Sequence, residues 1–157
     1  MIIVSGCNKK SSGVTPVTTG LSFTAQISLN NVESEYRVIA SREGNIEIQT
    51  LKPESLADLC FNFSGSAVTV SYKGLEYKTE LSSLPESSCP GFLYTVLSSL
   101  SQNCPTAVLK DEQYCISDSV GKYNYTLFLG EAGLPIKITE SKIGFTAVIK
   151  NATILSD

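Results

Sequence analysis

The sequence predicts a mainly β domain of α+β type: antiparallel strands, covered by one long and one short helix, that either curl closed or stay a half-open antiparallel β-barrel. Three observations predict it. Short segments that alternate apolar and polar residues recur from Leu21 onward, with Asn, Gly, Ser and Pro between them. A single stretch, between Cys89 and Cys104, switches to helical spacing. And about nine or ten strands, each with one apolar face, carry more oily surface than one helix of roughly 21 Å can hide.

The elements follow in order. In LSFTAQISL, Phe23, Ala25, Ile27 and Leu29 share one face. EYRVIAS and NIEIQT continue the alternation with Tyr36, Val38, Ala40, Ile46 and Ile48. Asn30-Asn31 and Glu43-Gly44-Asn45 carry turn chemistry between them. PESLADL (53–59) reads as the short helix, with Pro53 suited to its start. CFNFSGSAVTVSY is a hairpin about Ser64-Gly65-Ser66, and Leu75, Tyr77 and Thr79 form the next strand. LSSLPESS is irregular. The long helix starts near Pro90 and ends near Asn103, with Pro105 barring continuation. Four strands close the chain: 113–118, 122–129, 134–139 and 144–151.

A sheet with one greasy face must cover it. Either it curls and fills with side chains, or it keeps an apolar hollow beneath the helix, which is a ligand site by construction. The walls of such a hollow would be Phe92, Tyr94, Val96, Leu97 and Leu100 of the helix, with Tyr125, Leu127 and Phe145 from the strands. The same helical stripe reads as plain core before it reads as a ligand wall.

Composition excludes several function classes. The 157 residues suit one domain. Net charge is −3 and the Lys and Arg residues are scattered, which gives no footprint for nucleic acid. The chain has no histidine, so Ser-His-Asp and Cys-His nucleophilic sites and His-containing zinc sites are ruled out. Ser64 lacks a nucleophile elbow and Cys115 has no base to activate it. No catalytic residues, metal or cofactor are expected, and the protein is not read as an enzyme.

Five cysteines make an odd count: Cys7, Cys60, Cys89, Cys104 and Cys115. Val4-Ser5-Gly6-Cys7 fits a bacterial lipobox, in which an apolar residue and two small ones precede an acylated cysteine. Residues 1–7 then read as the end of a truncated signal peptide, since only MIIV stands where a basic and a longer apolar region belong. Diacylation and palmitate on Cys7 would anchor the protein to the outer face of a bacterial cell membrane. Residues 8–20, rich in Ser, Thr, Gly and Pro, read as a flexible tether to a domain over 21–155. With Cys7 used by lipid, the other four cysteines read first as two disulfides in an oxidising compartment, and second as buried free thiols. A continuous helix separates Cys89 from Cys104 too widely for a bond. Cys60 therefore pairs with either Cys89 or Cys104, and Cys115 takes the one left over.

The stretches LSFTAQISLNNVESEYRV, LKPESLADLCFNFSGSAVTVSYKGLEY and YTLFLGEAGLPIKI give the chain a family likeness. Their order resembles the lipoprotein-carrier (Lol-type) superfamily, and especially its small Gram-positive lipoproteins. The resemblance implies a half-open barrel with helices packed in its mouth and an apolar interior that holds acyl chains. Some relatives instead clamp a partner such as a cell-wall or germination enzyme. Two readings follow. One is a lipid-anchored binding protein for a lipid or acylated ligand. The other is a cell-envelope scaffold that holds a partner protein through its surface.

Overall fold

The computed structural model describes residues 13–156. Eleven strands form one antiparallel sheet: β1 (Leu21–Leu29), β2 (Val32–Ala40), β3 (Ile46–Lys52), β4 (Cys60–Ser64), β5 (Ala67–Tyr72), β6 (Leu75–Glu80), β7 (Val108–Lys110), β8 (Gln113–Val120), β9 (Tyr123–Leu129), β10 (Pro135–Glu140) and β11 (Phe145–Ile154). The helix α1 (Cys89–Asn103) lies between β6 and β7 in the chain. The spatial order is β6-β5-β4-β3-β2-β1-β11-β10-β9-β8-β7. Two meanders, β1 to β6 and β7 to β11, thus meet where the first strand pairs with the last, from Leu21 opposite Ile154 to Leu29 opposite Phe145.

Turn residues fix these pairings. Asn30 and Asn31 both have positive φ, at 50° and 66°, and join Leu29 to Val32. This is the mirror-image turn whose twist suits a two-residue hairpin. Lys73-Gly74 and Asp111-Glu112 repeat it between β5 and β6 and between β7 and β8. Because the side-chain period of a strand is two, each fixed register also fixes which residues face inward. Leu21, Phe23, Ala25 and Ile27 of β1 and Tyr123, Tyr125, Leu127 and Leu129 of β9 are buried as the alternation predicts.

The helix is capped by Ser88, whose side chain accepts from the Gly91 N–H at 3.3 Å, with Pro90 in the first turn. It ends at Cys104, a left-handed residue whose N–H donates to the Leu100 carbonyl. Nearly all of its first three turns are buried, from Cys89 to Leu97 apart from Thr95. Tyr94 stacks on Phe63 of β4 at 4.5 Å, and Phe92 meets Tyr123 of β9 at 5.9 Å and Phe145 of β11 at 4.7 Å. In the sheet, β4 and β9 stand six strands apart, roughly 29 Å if the sheet were flat. A helix is only about 10–12 Å across with its side chains. The sheet must therefore curve around α1 to let both walls touch it.

Three expectations are corrected. The short helix at 53–59 is a single 3-10 turn, Glu54–Leu56, with no buried residue, so it covers nothing. The three-residue strand β7 was too brief for its alternation to be visible. Residues 13–20, expected as the second half of a tether, lie against the sheet instead. Ala107 N–H donates to the Val14 carbonyl at 2.8 Å, and Val17 N–H to the Gly133 carbonyl at 2.9 Å. Val14 and Val17 pack on the core, and a Cβ on Gly133 would collide with the Thr15 carbonyl. Two valines are too few for composition to signal order, but a ready-made surface beside the β9–β10 turn accepts them. Cys7 and the lipobox lie outside the described residues.

The predicted disulfides are corrected too. Cys60, Cys89 and Cys115 are free, so neither pairing of the four internal cysteines forms. Cys60 sits on β4 opposite Gln49 and Ser71, and Cys115 on β8 between Val108 and Phe128. Cys89 packs at the start of α1 beside Ser34 and Tyr36 of β2. Burial pushes the Cys60 and Cys89 thiols up, away from the reactive thiolate.

Candidate functional site

An apolar hollow of about 490 Å³ opens at the N-terminal half of α1. Three pieces of chain build it. The segment from β6 to α1 supplies Leu81, Leu84 and Pro85 on one side. The β8–β9 turn supplies Val120, Gly121 and Tyr123 on the other. Phe92 and Thr95 of α1 form the floor. The hollow falls within the usual size of small-molecule sites, about 300–1,000 Å³.

Local sequence explains each wall. The N-terminal half of the long loop contains a 3-10 turn, Leu81–Ser83, held where Leu81 N–H donates to the Ser66 carbonyl at 2.8 Å. That turn presents Leu81 and Leu84 inward, where both pack on the core. Gly121 has φ +57° in the two-residue link between Val120 and Tyr123, with open space where a Cβ would stand. Thr95 donates its hydroxyl to the Gly91 carbonyl one turn back at 2.8 Å, which leaves its methyl for the hollow. The rim is polar and mostly acidic, with Glu80 and Glu86. Lys122 approaches Glu86 at 3.8 Å across the mouth. Both side chains are largely exposed, so the pair contributes little stability.

Of the predicted wall residues, only Phe92 borders this hollow. Tyr94 and Leu97 edge a second depression of about 380 Å³, lined chiefly by polar residues such as Glu43, Asn45 and Gln102. Val96, Leu100, Tyr125, Leu127 and Phe145 are packed core, each at most 2% exposed. Helical spacing identified the buried stripe of α1 but not its division between core and cavity. Leu81, Leu84, Val120 and Tyr123 went unrecognised, and the pair of leucines three apart in LSSLPESS was the available signal. Among the described residues no group of acidic or cysteine side chains could hold a metal ion.

Tyr125 stands out in the interior. Its hydroxyl is buried and has no hydrogen-bond partner among the described residues. Burial, reinforced by the Asp118 carboxylate, pushes its pKa up from 10.0 to about 12. An unpaired buried hydroxyl costs on the order of 1 kcal/mol or more, so Tyr125→Phe should stabilise the fold by about 1 kcal/mol at neutral pH. The sign of the pH effect is set by the raised value. The protonated phenol is favoured in the fold, so stability is intact below pH 10. It is lost between pH 10 and about 12, where the unfolded chain ionises first. Urea melts should show the gap between variant and wild type widening across that range. A variant less stable than wild type at pH 7 would reveal a hidden partner for the hydroxyl.

No family model and no curated protein matches the chain. Among solved structures it is similar to a LolA superfamily protein from Nitrosomonas europaea, at 10% identity and a TM-score of 0.41. That match covers 94% of this chain and 88% of that one. It is also similar to LprF from Mycobacterium bovis, at 14% identity and a TM-score of 0.39, covering 86% of this chain and 88% of that one.

Proposed function

We propose that this chain is an extracytoplasmic binding protein, anchored to a bacterial membrane by lipid on Cys7, whose half-open barrel holds a lipid or acylated ligand. The observation that carries the reading is the hollow of about 490 Å³ floored by Phe92 and walled by Leu81, Leu84, Val120 and Tyr123. Side chains of this kind recognise hydrocarbon without directing polar groups at it. Burying a CH₂ there contributes about 0.8 kcal/mol, so a single acyl chain supplies ample binding energy.

The test uses protein purified gently from its native membrane. Native mass spectrometry should show a bound lipid adduct, and labelled palmitate should be incorporated and lost in Cys7→Ser. Repeated absence of any adduct, with no saturable uptake of a fluorescent fatty acid, would defeat the ligand reading. Absence of label would defeat the anchor.

The packed interior favours a second reading. Most of the residues expected to wall a ligand chamber are core, as a scaffold with a filled interior requires. Such a scaffold would hold a cell-envelope protein through its surface. Recovery of one stoichiometric partner from an envelope extract, by protein that carries no lipid, would support it over the first.

A further inference from the structure

We infer that the free edge of β6 is a self-pairing surface, through which two copies of this chain join edge to edge about a twofold axis centred on Tyr77. The edge is bare. Leu75 and Tyr77 are 76% and 68% exposed, and of the whole strand only Thr79 is partly covered. Uncovered edges with unpaired backbone groups are templates for another strand.

The backbone limits how a second copy can dock. β6 pairs with β5 through Leu75 opposite Tyr72, Tyr77 opposite Val70 and Thr79 opposite Val68. The two-residue Lys73-Gly74 turn makes the first of these a hydrogen-bonded pair, and the pattern then alternates. Leu81 N–H, donating to the Ser66 carbonyl on the same side, continues the odd series. The N–H and C=O groups of Glu76, Lys78 and Glu80 therefore point outward. An antiparallel β6–β6 pair must be centred on a residue, because a centre between residues would oppose inward and outward backbone groups.

Charge then selects the centre. Centring on Glu76 or Lys78 brings like charges face to face. Centring on Tyr77 places Glu76 opposite Lys78 of the second copy and, by symmetry, Lys78 opposite its Glu76. These are hydrogen-bonded positions, so each opposite-charge pair coincides with two backbone bonds. Tyr77 meets its twofold mate on the other face, flanked by Leu75 against Thr79. Opposite charges and aromatic pairs at directly opposed positions both stabilise a sheet. A centre on Thr79 also pairs Lys78 with Glu80, but it runs the second copy into the 3-10 turn Leu81–Ser83. Within the chain neither Glu76 nor Lys78 has an ion-pair partner among the described residues. Across the axis the two charges are complementary to each other.

Sedimentation velocity on the full chain, from micromolar to near-millimolar concentration, reads the association. Wild type should form a dimer. Lys78→Glu alone should weaken it about tenfold or more, since it sets glutamates against each other twice. The double exchange Glu76→Lys with Lys78→Glu should restore it, because the pairs are reversed but kept. All these positions are exposed, so circular dichroism should show the same melting for each variant. A protein monomeric throughout, a dimer indifferent to Lys78→Glu, or a double exchange that fails to restore it would overturn the inference. So would a mass that keeps growing with concentration, which would mean β6 pairing head-to-tail with the opposite edge of the sheet, at β7.

Discussion

Phe92→Ala should destabilise the domain by about 3–5 kcal/mol, a fall of roughly 6–20 °C in melting temperature. Phe92 is 1% exposed and lies at the centre of the contact between helix and sheet. It meets Phe145 at 4.7 Å and Tyr123 at 5.9 Å, both edge to face. Truncation removes the buried ring and both aromatic contacts, each worth about 0.5–1.5 kcal/mol beyond area burial. The surrounding strands are hydrogen-bonded on both sides and cannot collapse into the space, so the void adds its own cost. Phe92→Leu should keep most of the packing and lose less than half as much. Urea melts at constant m-value measure both. A loss below about 1 kcal/mol for the alanine variant would mean that α1 is not seated as a core element.

Thr95→Trp should abolish uptake of an apolar ligand while leaving stability nearly unchanged. Thr95 faces the hollow from the floor and is only partly buried. An indole at this position has open space to occupy, and its ring would lie among Leu81, Leu84 and Val120 as the ligand would. The hydroxyl given up bonds only the Gly91 carbonyl of its own helix, which adds little to helix stability. Titration with a fluorescent fatty acid should show affinity reduced by more than about tenfold, equivalent to roughly 1.4 kcal/mol. Thr95→Ser is the matched control and should bind as wild type does. Undiminished binding to a well-folded Thr95→Trp protein would move the ligand out of this cavity.

The strands and their facing were legible because period-two alternation is a local signal. Phe23, Ala25 and Ile27 could be assigned to one face without knowing what covered them, and that face is the buried one. Asn30-Asn31 announced its turn through residue types that tolerate positive φ. The helix was legible for the same reason. What escaped was set by distant chain segments. Whether Tyr125 lines a chamber or fills a core depends on which residues face it across the curve of the sheet, and nothing near position 125 encodes that. Val14 and Val17 gain their order from Ala107 and Gly133, about a hundred residues away in sequence. The cysteine count suggested two bonds among four positions, but Cys60, Cys89 and Cys115 are free, and which cysteines the fold brings together is set by the order of distant strands rather than by spacing in the chain.

The seam between the first strand and the last has a kinetic consequence. Each meander can assemble from neighbouring hairpins, but the β1–β11 ladder closes a loop nearly as long as the domain. Such closure is entropically late and slow, on the millisecond-to-second scale of topologies rich in distant contacts. A nascent chain that has emerged only as far as β10 holds two half-sheets with their central edges bare. Those edges stay adhesive until the final ten-residue strand arrives to join them.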